Sequence, residues 1–189
     1  PAFSAPTRRR QPTPTWSSRM AVYMKAESGK TTSGTKIATK IEGNASQKDH
    51  VNWIPLESVK LPTKREGVNT APGNVTDRTT SQVDFDDLEI SKGMDKASPD
   101  LMKWNISGAT YKVTIDICKE DGQKVLQIIL YDTLLTNYDS ECDESGKVSE
   151  SLALDYTKIS MEFISYKKDN TEDRRDTVIY DLETASGAN

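Results

Sequence analysis

The chain has 189 residues, 34% of them hydrophobic and 29% charged, with 25 basic and 29 acidic side chains and a formal net charge of −4. That length suits one domain whose core needs no disulfide or metal, and Leu, Ile, Val and Phe at just under one-fifth, with so mild a charge, indicate an ordered domain with a small core. Arg8, Arg9, Arg10 and Arg19 stand in the first 19 residues without an acid, leaving the rest near −8, which excludes the concentrated positive surface that nucleic-acid binding needs.

Residues 1–19, with Pro1, Pro6, Pro12 and Pro14 and almost no periodicity, read as a disordered tail or non-native extension, and Met20 as a natural start. The remainder, 20–189, reads as a single domain. Ala21 to Ala26 alternates weakly as a first strand, and Ile37, Thr39 and Ile41 suggest a second extended piece beyond the polar loop from Glu27 to Thr35. Trp53, Ile54, Leu56, Val59 and Leu61 form an apolar-rich strand in which Pro55 demands an edge or a bulge. Residues 62–80 carry Pro62, Gly67, Pro72 and Gly73 among Thr, Asn and charges. A loop of that length inside a compact domain is unusual unless used, so it is the candidate interaction loop.

Val83 and Phe85 alternate with Asp84 and Asp86 in a strand expected to run to Lys92. A tight break follows, and then a helix over about 98–106, with Ser98 able to cap, Pro99 in the first turn and Asp100 suited to the positive end. Tyr111, Val113, Ile115 and Ile117 share a buried face opposite Lys112, Thr114, Asp116 and Cys118, and Asp121-Gly122 predicts a type I′ hairpin turn. Val125 to Tyr131 is so continuously apolar that it reads as a strand covered on both faces. A polar excursion from Asp139 to Glu150 leads to Leu152, Leu154 and Tyr156, then to Ile159, Met161 and Phe163. The one-residue slip in the buried phase predicts a bulge between Tyr156 and Ile159. Val178, Tyr180 and Leu182 make a last strand. The fold class is mainly β, a barrel or tight sandwich with one short helix.

Chemical motifs are sparse. Ser28-Gly29-Lys30-Thr31 matches the end of a phosphate-binding loop, but Met24 stands where its first glycine belongs, and no helix follows. His50, the single histidine, reads as a loop residue beside Trp53, and with the distant Cys118 and Cys142 it suggests neither a metal site nor a nucleophile pair. The two cysteines read as free thiols, one on an alternating strand and one in a polar loop. Asp84, Asp86 and Asp87 read as a solvated face. Asp139 to Gly146 starts like a calcium loop, but its glycine falls two places late, so a hairpin loop is expected. Asn44, Asn74 and Asn105 begin N-x-S/T triplets that matter only in a glycosylating pathway. No run approaches the ~18 consecutive apolar residues of a membrane span, and no cleaved signal is expected. No catalytic residue, cofactor or metal is assigned.

Several stretches, in order, resemble the haemolysin-coregulated protein family, the tube subunits of bacterial type VI secretion: "MAVYMKAE", "IEGNASQKDHVNWIPLESVKL", "FDDLEISKGMDKASPDLM", "YKVTIDICKEDGQKVLQIILYDTLLTNY", "ESLALDYTKISMEFISYKKDN" and "YDLETA". The third is the most specific, and the resemblance spans Met20 to the end. Residues 27–40 look like an insertion, loop 62–80 is poorer in glycine than in relatives, and Asp173-Arg174-Arg175-Asp176 is more charged. The resemblance implies a β-barrel of two packed sheets. It implies a homohexameric ring that stacks into a tube, with a spike protein, a contractile sheath and small effector proteins as partners and no membrane insertion. It also implies a bacterial cytoplasmic location before firing and an extracellular one after. Ring stacking then falls to the loop residues Lys64, Arg65, Glu66, Asp77 and Arg78, and lumen or cargo contact to Ser58 and Lys60. The competing reading from the residues is a monomeric β-sandwich recognition module using Trp53 or Trp104. A third, a toxin carried on the barrel, needs an added domain.

Overall fold

The computed structural model describes residues 20–27, 37–65 and 83–188. The Arg-rich segment 1–19, the Ser28–Thr31 fragment and most of loop 62–80 lie outside these residues, as do Glu66, Asp77 and Arg78.

In chain order the strands are β1 (Ala21–Glu27), β2 (Lys40–Ile41), β3 (Ile54–Leu56), β4 (Ser58–Lys60), β5 (Thr63–Arg65), β6 (Val83–Phe85) and β7 (Leu88–Gly93). Helix α1 (Ser98–Ser107) follows, then β8 (Tyr111–Cys118), β9 (Lys124–Cys142), β10 (Val148–Asp155), β11 (Lys158–Tyr166), β12 (Glu172–Asp181) and β13 (Ser186–Ala188). Eleven strands share one ladder, and β5 pairs with β6 separately. The ladder folds into two layers because β9 is 19 residues long and changes partners midway. Its first half, Leu126 to Tyr131, lies between β8 and β11, whereas Leu134 to Cys142 pairs with β10. The change occurs at Asp132, whose φ of +47° bends the strand there.

Layer one thus runs from β3 through β1, β8, β9 and β11 to β12 and β13, and layer two is β9, β10, β7 and β4. The second corner lies at Glu57, where the chain leaves β3 for β4 and the Glu57 amide donates to Ser91 O at 2.8 Å. The expected strand over 53–61 is therefore two short strands in different layers. Pro55 sits exposed opposite Tyr23, in a strand whose only ladder among the described residues is with β1. The run from Val83 to Lys92 is likewise divided at Asp86 and Asp87 into β6 and β7.

Between the layers, Met24, Val113, Ile115, Leu130 and Ile159 meet Leu88, Ile90, Leu152 and Leu154. Helix α1 closes one end with Leu101 and Trp104. The Trp104 ring lies 4.7 Å from Tyr111, and its Nε1 donates to Ala109 O. Trp104 and Leu101 are fully buried, and burial of a leucine side chain contributes about 1.5–3 kcal/mol.

Several local expectations change. The Asp121-Gly122 turn is not type I′, since Gly122 alone has positive φ; it is a type I turn closed by a left-handed residue. The same solution recurs at Gly146 and Asn170, and in each turn an Asp Oδ1, of Asp121, Asp143 or Asp169, accepts from the amide two residues on. The predicted bulge between Tyr156 and Ile159 is the break between β10 and β11. Register shifts occur instead at Ala153/Leu154 and Ser165/Tyr166. The polar excursion from Asp139 is mostly strand: β9 continues through Cys142, which is therefore on a strand end, and only 143–147 turn. Ile128 and Leu130 of β9 are buried while Ile129 and Tyr131 are half-buried, so one face, not both, is covered. The last strand is β13, which pairs with Ile179 to Asp181.

Residues 43–53 make a small irregular hairpin over the outside of β1 and β8. The Gly43 amide donates to Asn52 O, and a Cβ at Gly43 would stand 2.4 Å from Ile54 Cα and 2.5 Å from Trp53 O. No side chain fits against that backbone. Gly43→Ala is expected to lower stability by about 1–3 kcal/mol through overpacking; an unchanged urea midpoint would contradict the close approach.

Candidate functional site

Leu88, Ile90 and Lys92 of β7 alternate onto the inner face, as do Glu150, Leu152 and Leu154 of β10, and the register sets Glu150 directly opposite Lys92. Two opposite charges are therefore brought into the core by strand periodicity alone. Lys92 is fully buried, and its Nζ donates to Glu150 Oε2 at 2.6 Å, Asp95 Oδ1 at 2.9 Å and Ser98 Oγ at 3.3 Å. The three protons of an ammonium thus meet three acceptors. Tyr138 of β9 donates from its hydroxyl to Glu150 Oε1 at 2.8 Å, and the amides of Ala97 and Asn44 donate to Asp95.

Ser98 is not the helix cap expected of it. Ala97 holds that position without a side-chain bond, Ser98 turns inward, and its Oγ accepts from the Asp95 amide at 3.0 Å. The Gly93-to-Asp100 segment is thereby tied to β7, β9 and β10 at one point. Burial opposes ionisation of Glu150, but hydrogen bonds from Lys92, Ser98 and Tyr138, with the Lys92 charge, hold its carboxyl below the usual range. Burial, followed by the bond to Glu150, pushes the Tyr138 hydroxyl up to about 12. The centre offers no free position to a ligand; it organises structure.

A second polar cluster fixes the 43–53 hairpin. His50, expected in a loop beside Trp53, is beside Trp53 but buried, stacked 4.5 Å above Tyr23. Its Nε2 lies 3.0 Å from Asp116 Oδ2 and its Nδ1 2.7 Å from Gln47 Oε1, an oxygen that also accepts from the Asp49 amide. Asp116, assigned to the open face of its strand, is buried beneath this hairpin and also accepts from Gln127. Both nitrogens of His50 are engaged with oxygens, and neither thiol is a partner. Burial, with Asp116 beside it, pushes the Cys118 thiol up to about 11; Cys142 is exposed, and both are free. Among the described residues no group of three or more His, Cys, Asp and Glu side chains could hold a metal ion.

The surface residues fall in two places. Ser58 and Lys60 of β4 lie on the outer face of layer two. The Ser58 and Ser91 hydroxyls are 2.6 Å apart, and Lys60 Nζ donates to Glu89 Oε2 at 2.9 Å. With Asn137, Ser151 and Ala153 they line a shallow depression of about 310 Å³. Among the described residues this face bears serines, Asn137 and the exposed Lys60–Glu89 ion pair, and no exposed large apolar side chain. Lys64 stands on the β5–β6 stem at the base of the 66–82 segment, 2.7 Å from Asp86 Oδ2, and Arg65 pairs through its backbone with Val83. Asp86, and Asp84 through its charge, raise the pKa of Lys64. The structure brings Ser58 and Lys60 together and sets Lys64 apart from them on the stem.

The Lys92 centre yields two predictions. Lys92→Met leaves Asp95 and Glu150 buried without a countercharge and should lower stability by about 3–5 kcal/mol in chemical denaturation. Because the Glu150 carboxyl sits below its unfolded value of about 4.3, its contribution is complete above that value and lost as pH falls through the folded one. Glu150→Gln should therefore be less stable at neutral pH and show a flatter acid limb, and an acid limb identical to the native protein's would contradict an ionised Glu150.

The family model described as "Type VI secretion system effector, Hcp" matches residues 23–163. No curated protein matches the sequence. Among solved structures, a type six secretion system protein is similar over 90% of this chain and 100% of its own, at 15% identity and a TM-score of 0.76. Hcp1 from Salmonella typhimurium covers 89% of this chain and 99% of its own, at 17% identity and 0.66. A type VI secretion system effector from Yersinia pestis covers 85% and 98%, at 17% identity and 0.63. With a family model over most of its length and the two-layered β fold of those structures, the chain belongs to the Hcp family of type VI secretion proteins.

Proposed function

We propose that the chain is a non-enzymatic subunit of the secretion tube, built of residues 20–189, closing six copies into a ring and stacking the rings end to end. The observation that carries the reading is layer two. It is a four-stranded sheet whose flanking strands, β4 and the second half of β9, pair on one side only among the described residues. Unpaired strand edges invite another chain. Two different edges on one protomer suit a heterologous contact, and if the rotation closes, every edge is used. Each contact would need to bury about 800 Å² per partner.

In such a ring the outer face of layer two turns to the lumen, so Ser58 and Lys60 meet cargo across a surface of serines, Ala153 and Asn137. Small hydrated side chains there let an effector protein pass without adhering. Contact with the adjoining ring falls to Lys64 and Arg65 of the β5–β6 stem, with Glu66, Asp77 and Arg78. Spike protein and contractile sheath are the further partners. The subunit assembles in the bacterial cytoplasm and leaves the cell with the tube.

Negative-stain electron microscopy of the purified protein tests the reading. Annular particles are expected, and a species that stays monomeric over a wide concentration range would instead support the recognition-module alternative. Reversing the charge at Lys64, Arg65 or Arg78 should shorten or abolish stacks while annuli persist; variants that lose the annuli themselves would contradict this division of roles.

A further inference from the structure

Among the described residues, exposed apolar side chains lie at opposite ends of layer one. At one end, cross-strand register aligns Val22, Ile117, Leu126 and Phe163 on the inner face; Val22 and Leu126 are partly buried against the core, and Phe163 is the exposed member of the row. Phe163 is 44% exposed, and Val178, on the same face of the next strand, is 38% exposed. Phe163 shares the phase of Ile159 and Met161 and was expected in the core; it lacks only a layer above it.

At the other end, six residues or about 20 Å back along β8, Tyr111 pairs with Thr133 and Trp104 anchors α1. Met102 and Ile106, one helical turn apart, are 40% and 75% exposed there. Charge follows the same polarity. The last turn of α1 contains no basic side chain, so its negative end lacks a cation from its own helix. The Phe163 surface is bordered by Arg174, 74% exposed and held beside Asp176.

We propose that these surfaces meet head to tail between copies of this chain: α1 of one copy seats Met102 and Ile106 against Phe163 and Val178 of the next, with Arg174 approaching the helix C-terminus. The contact runs along the strands and leaves the lateral edges of β4 and β9 free, so it joins rings to one another and does not close them. It rests on the tube reading and names the partner surfaces of its axial contact. Covering exposed apolar side chains makes the contact favourable, and a surface that repeats in every copy makes it propagate.

The test uses full-length protein carrying Cys142→Ser, since Cys118 is buried. Ile106→Cys and Phe163→Cys are made separately, mixed, and treated with a short bismaleimide, with annuli counted in the same samples by microscopy. Unlike pairs are expected to cross-link at least tenfold more than either variant alone, and a chain carrying both cysteines should give locked stacks of rings. Annuli without preferential cross-linking of the unlike pair would overturn the axial contact while leaving the ring intact. Absence of annuli in the native protein would overturn both. Ile106→Asp, at a position 75% exposed, should raise the concentration needed for stacking at least tenfold without changing the rings; unchanged stacking would count against the contact.

Discussion

The ammonium of Lys92 is the point at which the fold is tied. A lysine with no access to water is tolerable only if its charge and all three protons are met, and meeting them takes Glu150 from β10, Asp95 from the loop after β7 and Ser98 from the first turn of α1. Tyr138 of β9 and the Asn44 amide complete the lone pairs of the two carboxylates. Five parts of the chain are thereby located relative to one ion. An apolar cluster of equal volume could be as stable, but it would accept more than one arrangement of the β7–α1 loop; directional bonds accept one.

From that point the functional surfaces follow by geometry. Layer two hangs on β7 and β10, the strands that carry Lys92 and Glu150, and its outer face inherits their alternate residues, Glu89, Ser91, Ser151 and Ala153. The bend of β9 at Asp132 and the corner at Glu57 bring the two layers face to face without a complete circle of hydrogen bonds. What is left over is informative: strand edges at the sides, apolar ends along the strands and a small-residue face between them. The Lys92 and His50 groups are satisfied within the chain, whereas Gln123 Oε1, Thr133 Oγ1 and the Tyr156 hydroxyl are buried without a hydrogen-bond partner among the described residues; the strand edges and apolar ends are what the proposed assembly covers.

Much of this was readable in the sequence, and the failures have physical causes. The strands of the second half, the helix and the Hcp-like motif around "DKASPD" emerged because alternation and turn residues are local signals. Strand breaks were missed at Glu57 and at Asp86-Asp87 because each half still alternates by itself, although the inward phase slips by one residue at both, from Leu56 to Val59 and from Phe85 to Leu88. Asp116 was assigned to the wet face because the 43–53 hairpin that buries it comes from more than 60 residues away. Phe163 was assigned to the core because phase reports which face a residue occupies and not whether a second layer reaches it. Lys92 and Glu150 could have been found: each is a charge in the apolar phase of its strand, and the signs are opposite. The role of Ser98 was the right residue with the wrong partner, since capping and ion binding use the same hydroxyl.

The Lys92 centre is complete within one chain, and strand edges are what the proposed assembly covers. Hydrogen exchange followed by mass spectrometry, comparing dilute dissociated protein with concentrated assembled protein, separates the two directly. Amides of β7 and the first turn of α1 should be equally protected in both states, while those of β4 and of the second half of β9 gain protection on assembly. Assembly that leaves the β4 and β9 edges exchanging as before, or that first confers protection on β7, would contradict this arrangement.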